Sequence, residues 1–79
     1  MKCIIKELGL LDKINVSYLC GQCRLSRTQF YNIVNNVKNP KIDTAWGILH
    51  LIWLGGFIDK LELSELWIPE YEYDERFGD

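Results

Sequence analysis

Cys20-Gly21-Gln22-Cys23 has the spacing of a redox pair, or of one half of a tetrahedral zinc site. Zinc needs four ligands, and the only others on offer, Cys3 and His50, fall on different expected helices. The thiols therefore read as small apolar core residues. His50 is the sole histidine and has no serine or cysteine nucleophile with an orienting acid beside it in sequence, so a catalytic triad is disfavoured. Trp46, Trp53 and Trp67 sit at helical spacing among leucines and isoleucines, which marks core or interface and not a base-stacking platform. A chain of 79 residues buries only about 60% of its unfolded surface, which leaves little room for an active-site cavity. Neither an enzyme nor a metal or other cofactor is expected.

Three cysteines without an amino-terminal signal peptide point to a reducing cytoplasm. The longest mainly apolar run, 45–58, is interrupted by Gly47, His50 and Gly55-Gly56, and is too short to cross a bilayer. No membrane partner is expected. The net charge of −2, from nine basic and eleven acidic residues, alone argues against a polyanionic partner. Its distribution argues otherwise. Residues 1–12 are neutral, residues 13–42 carry five bases and no acid, and residues 43–79 carry nine acids against Lys60 and Arg76. A basic centre beside an acidic carboxyl-terminal segment suggests one surface that faces an anion and another that does not.

These residues must be positioned by local structure. Ile4, Ile5, Leu8 and Leu11 recur at helical spacing, which predicts a helix over 2–11. Asn15 is a strong cap for a helix over 16–23, and Ser26 with Gln29 has capping-box spacing for a third over 27–35. Asn35-Asn36 is a plausible left-handed stop, followed by Pro40. Asp43-Thr44 can cap a fourth helix to about residue 54, with Ala45, Trp46, Leu49, Ile52 and Trp53 as candidate core and Gly55-Gly56 as its end. Ile58, Leu61, Leu63, Leu66 and Trp67 suggest a fifth, short helix over 58–67. The expected class is all-α: a domain over 1–68 and an acidic, aromatic tail over 69–79 that is either disordered or a strand for a partner.

Two short helices joined by a tight turn at Arg24-Leu25-Ser26 have helix-turn-helix spacing. Residues 14–23, 25–33 and 35–40, then Ile42-Asp43-Thr44, Trp53-Leu54-Gly55 and Asp59-Lys60-Leu61, resemble the Cro and phage-repressor type of helix-turn-helix regulator, including its antitoxin-like members. The resemblance implies a five-helix, lambda-repressor-like domain whose third helix enters the major groove. It further implies base contacts from Arg27, Thr28, Gln29 and Asn32, with Gln29 serving either as reader or as cap. Phosphate contacts would come from the amides near Val16 and Ser17 and from Tyr31, Lys38, Asn39 and Lys41. Three departures stand out: Arg24 where the turn usually has glycine, Val34 where the recognition helix usually ends in an acidic residue, and Asn36 where the loop has glycine. The function so implied is a sequence-specific transcriptional regulator, a repressor, binding a double-stranded DNA operator as a homodimer through Trp53, Phe57, Leu63 and Trp67. The alternative is an interaction module, an antitoxin or phage-encoded inhibitor, that engages a protein partner through the acidic segment.

Overall fold

In the computed structural model, which describes residues 1–78, the two ends of the chain meet in a two-stranded antiparallel ribbon. Strand β1 (Lys2–Cys3) pairs with β2 (Trp67–Ile68) in the register Lys2 to Ile68 and Cys3 to Trp67. The Ile4 amide continues the ladder, donating to the Leu66 carbonyl at 2.8 Å. Between the strands lie α1 (Val16–Cys23), α2 (Arg27–Val34) and α3 (Ile42–Leu54), and after β2 comes α4 (Glu70–Phe77). Leu10–Asp12 and Leu63–Glu65 form single 3₁₀ turns.

The expected five-helix, all-α domain is thus corrected to a mixed domain: four α-helices and a small sheet among the described residues. The reason is visible in burial. Cys3, Ile4 and Ile5 are all buried, as are Leu66, Trp67 and Ile68, and three consecutive buried residues suit a ribbon covered on both faces, not one helical stripe. Gly9, at φ 72°, ends any helical continuation in the first segment. The expected helix over 58–67 is replaced by turns, the Leu63–Glu65 3₁₀ turn and β2.

Helix α3 forms the wall of the core. Ala45, Ile48, Leu49 and Ile52 line its buried face, against Phe30, Ile33 and Val34 from α2 and Leu19 and Cys20 from α1. Trp46 and Trp53, expected in the core, are instead exposed (42% and 37%), whereas Trp67 is 4% exposed and packs inside. Trp67 therefore cannot face a second subunit. Leu63, named for the same interface, is half-buried against the core, while Trp53 and Phe57 remain exposed.

Gly9, Arg24, Asn36 and Gly56 all have positive φ, and all four close the same kind of turn. Each donates its amide to the carbonyl three residues back, while the next residue donates to the carbonyl five back. This is the paired closure that a left-handed residue makes possible at a helix end. Asn36 does more. Its Oδ1 accepts from the Cys3 amide at 2.7 Å and its Nδ2 donates to the Cys3 carbonyl at 3.1 Å, so one side-chain amide seals the edge of β1 that β2 leaves open.

The tail, expected as disorder or a strand, is helical. Glu70 and Glu72 in its first turn and Arg76 in its last match the helix dipole, and Arg76 Nη1 lies 3.3 Å from Glu72 Oε2. None of its residues is buried. It is held by Tyr73, whose hydroxyl donates to Glu7 Oε1 at 2.9 Å beneath the Lys2 ammonium, 5.8 Å from the ring centroid.

Two predictions follow from these contacts. Asn36→Gly keeps the left-handed turn but strands the Cys3 amide and carbonyl; it should cost about 1–3 kcal/mol in denaturant unfolding, and an unchanged midpoint would refute the bridge. The hydrogen bond to Glu7, then desolvation, then nearby carboxylates hold the Tyr73 phenol above its ordinary 10.0. Because the neutral phenol is the donor, the α4 anchor is present below pH 10.0 and is lost as pH rises through the raised value. Amide exchange of residues 70–77 should accelerate over that rise, and in Tyr73→Phe it should be fast already near neutrality.

Candidate nucleic-acid interface

The Asn15 side chain caps α1 by accepting from the Tyr18 amide at 3.0 Å, and the Asn15 carbonyl takes the Leu19 amide. The Val16 and Ser17 amides are then the first-turn donors that no acceptor among the described residues reaches. The Val16 side chain is half-buried against the core, so only its backbone is available; Ser17 is exposed. Helix α1 ends at Arg24, left-handed at φ 55° and ψ 44°, and Leu25 tucks against the core.

Ser26 and Gln29 then form the full capping box: Ser26 Oγ accepts from the Gln29 amide at 3.1 Å, and Gln29 Oε1 accepts from the Ser26 amide at 2.9 Å. Of the two roles open to Gln29, the geometry gives it the cap. Its carbonyl oxygen is committed to the Ser26 amide. Phe30, Ile33 and Val34 anchor α2 in the core, so Arg27, Thr28 and Tyr31 are exposed on the outer side. The Arg27 guanidinium donates to Ser17 Oγ, tying the first turn of α2 to the first turn of α1.

Asn32 is half-buried at the floor of an open groove of about 360 Å³ shared with Gln29, Lys38, Asn39 and Lys41. Its carbonyl accepts from the Val37 and Lys38 amides at 2.8 and 3.2 Å, which fastens the following loop to the end of α2. Ten residues named from the sequence thus separate into three groups. Arg27 and Ser17 stand with Val16 at the α1–α2 junction; Gln29, Asn32, Lys38, Asn39 and Lys41 line the groove; Thr28 and Tyr31 lie on the outer surface of α2. Sequence reasoning missed Lys6, whose ammonium donates to Asn35 Oδ1 at 3.1 Å and adds a cation near the end of α2. No local pattern could have found it, because Lys6 and Asn35 are 29 residues apart in sequence and meet only in the fold.

Other chemistry is poorly served. Cys3 and Cys20 are buried, Cys23 is half-buried, and all three are free thiols. Burial pushes the Cys3 thiol up to about 12, and burial also raises Cys20 and Cys23, so none is an activated thiolate. His50 is exposed and stacks on Trp53, with ring centroids 6.0 Å apart. Among the described residues no group of three or more His, Cys, Asp or Glu side chains is placed to hold a metal ion. No helix among them is long and apolar enough to cross a membrane. Comparison with family models, with curated proteins and with solved structures finds no match to this chain.

Arg24 pays a steric cost for its left-handed backbone that glycine would not. Arg24→Gly should therefore stabilise the domain by about 1 kcal/mol, raising its thermal midpoint by about 4–8 °C. A lowered midpoint would show that the arginine side chain contributes more than its backbone costs.

Proposed function

We propose that the protein binds double-stranded DNA sequence-specifically and regulates transcription, with α2 entering the major groove. The observation that carries this reading is the outer surface of α2 and the loop behind it: Arg27, Thr28, Tyr31, Asn32, Lys38, Asn39 and Lys41, with no acidic residue anywhere in 13–42. Arg27 can donate two hydrogen bonds to guanine O6 and N7, and Asn32 can pair with adenine N6 and N7. Thr28 suits a thymine methyl group. The free amides of Val16 and Ser17, at the positive end of α1, suit a phosphate, and the groove lysines would hold the backbone that follows.

The reading gives the Arg27–Ser17 hydrogen bond a purpose. It holds a long side chain near the start of α2 before any DNA arrives, so less rotamer freedom is lost on binding. The acidic residues of α4 belong to a separate element, docked on the amino-terminal segment through Tyr73 and Glu7.

The test is selection of a binding site from random duplex DNA, followed by titration of variants on the selected site. Arg27→Ala and Asn32→Ala should each cost about 1–3 kcal/mol at that site and relax preference at one base position. Lys38→Ala and Lys41→Ala should weaken all sequences alike and lower the salt slope by about 1 each. Failure to enrich any sequence, or a salt slope near zero, defeats the proposal.

A further inference from the structure

The loop that carries Lys38 and Lys41 separates two hollows of different chemistry. One is the polar groove of Gln29, Asn32 and the two lysines; the other, of about 290 Å³, is largely apolar. Asn39 and Pro40 stand in the walls of both. The rest of the apolar hollow comes from segments far apart in sequence: Ile42 and Ala45 at the start of α3, Met1 just before β1, and Trp67 of β2. Leu63, from the second 3₁₀ turn, completes it, and no charged side chain lines it.

Trp67 is the tryptophan that enters the core, 4% exposed, yet among the described residues no acceptor takes its indole N–H. Buried indoles ordinarily find a partner, because a desolvated donor left without one is costly. A phenylalanine would bring an aromatic ring to the core with no donor to satisfy. A lone water is a poor match for a largely apolar hollow, since it needs two to four polar partners. An orphan donor in the wall of an apolar hollow is instead what an apolar ligand with one fixed polar contact requires.

We propose that this hollow binds a small, uncharged, mainly apolar molecule whose single acceptor, a ketone, ester or amide oxygen, takes the Trp67 indole N–H. Volume sets the size. At about 30 Å³ for each water-sized group, the hollow admits about ten non-hydrogen atoms. The walls set the charge, because an ionised group would lose its hydration with no charged side chain to replace it. The indole sets the polarity: it donates and never accepts, so a molecule whose polar group only donates gains nothing from it. The Nε1 atom is itself buried, so the ligand reaches it by displacing side chains. Met1 and Ile42, 64% and 61% exposed, can give way without opening the core.

The proposal stands apart from the DNA reading, and its test contains no DNA. The probe is acetophenone, an aromatic ketone within the size limit; the control is α-methylstyrene, which keeps the shape and replaces the oxygen by a methylene. Acetophenone titrated into the isotope-labelled full chain should move the Trp67 indole N–H resonance downfield to saturation, together with the Asn39 and Ala45 amides, and leave the Trp46 and Trp53 indoles in place. The hydrocarbon should bind about three- to tenfold more weakly, the worth of one hydrogen bond, with no downfield shift at Trp67. Trp67→Phe identifies the resonance by its loss and should abolish the preference for the ketone; if that variant fails to fold, the paired titration of the unsubstituted chain decides alone. No shift at Trp67, or shifts confined to Trp46 and Trp53, overturns the site. Equal binding of ketone and hydrocarbon overturns the acceptor contact, and tighter binding of benzoate than of acetophenone overturns the uncharged class.

Discussion

The fold depends on Asn36 more than on any other polar side chain. Its backbone, at φ 62°, closes the end of α2, and its amide at the same time satisfies the Cys3 amide and carbonyl on the open edge of β1. Glycine would serve the first purpose and fail the second. An isolated two-stranded ribbon is marginal in water, so a strand pair this short needs its outer edge covered. Asn36 covers it with a single residue, and thereby fixes the amino-terminal segment to α2. Through the pairing of Cys3 with Trp67 the same contact reaches the far end of the chain, and through Glu7 and Tyr73 it reaches α4.

What was legible in the sequence was whatever is decided locally. The caps at Asn15 and Ser26 and the left-handed stop at Asn36 bracket α1 and α2 nearly to the residue, because each satisfies its backbone within a few positions. For α3 only the end at Gly55-Gly56 was legible: the expected Asp43-Thr44 cap is corrected, since the helix begins at Ile42 after Lys41 with no side-chain cap, and both residues lie within its first turn. The ribbon was not legible. Two-residue strands show no alternation, and Ile4, Ile5, Leu8 and Leu11 fall at helical spacing although Gly9 and the pull of β2 forbid a helix there. Helix α4 was hidden for a different reason: it is held by a tyrosine hydroxyl and a cation over a ring, and the single Tyr73–Phe77 pair is too short a stripe to read among the acids.

The candidate site shows the same division. The side chains that would meet a ligand were found by type and spacing, yet their coupling was not. Gln29 was open between two roles, and only the position of its oxygen decides it. Arg27 and Ser17, ten residues apart, meet because the Arg24 turn folds α2 back on α1. Lys6 arrives from outside the motif altogether. Residue type is a property of the sequence; which donors share a groove is a property of the turn geometry.

Trp46, Trp53 and Trp67 explain why hydrophobicity alone misassigns a small domain. All three looked equally fit for the core, but a chain of this size encloses too little volume for all of them. Trp67 enters because it belongs to the ribbon, where both faces are covered. The other two lie on the arc of α3 left over once Ala45, Ile48, Leu49 and Ile52 face the core. Leaving such side chains in water costs free energy that a polar residue there would spare, at about 25 cal/mol per Å² of apolar surface. That cost is recovered only where something covers the arc.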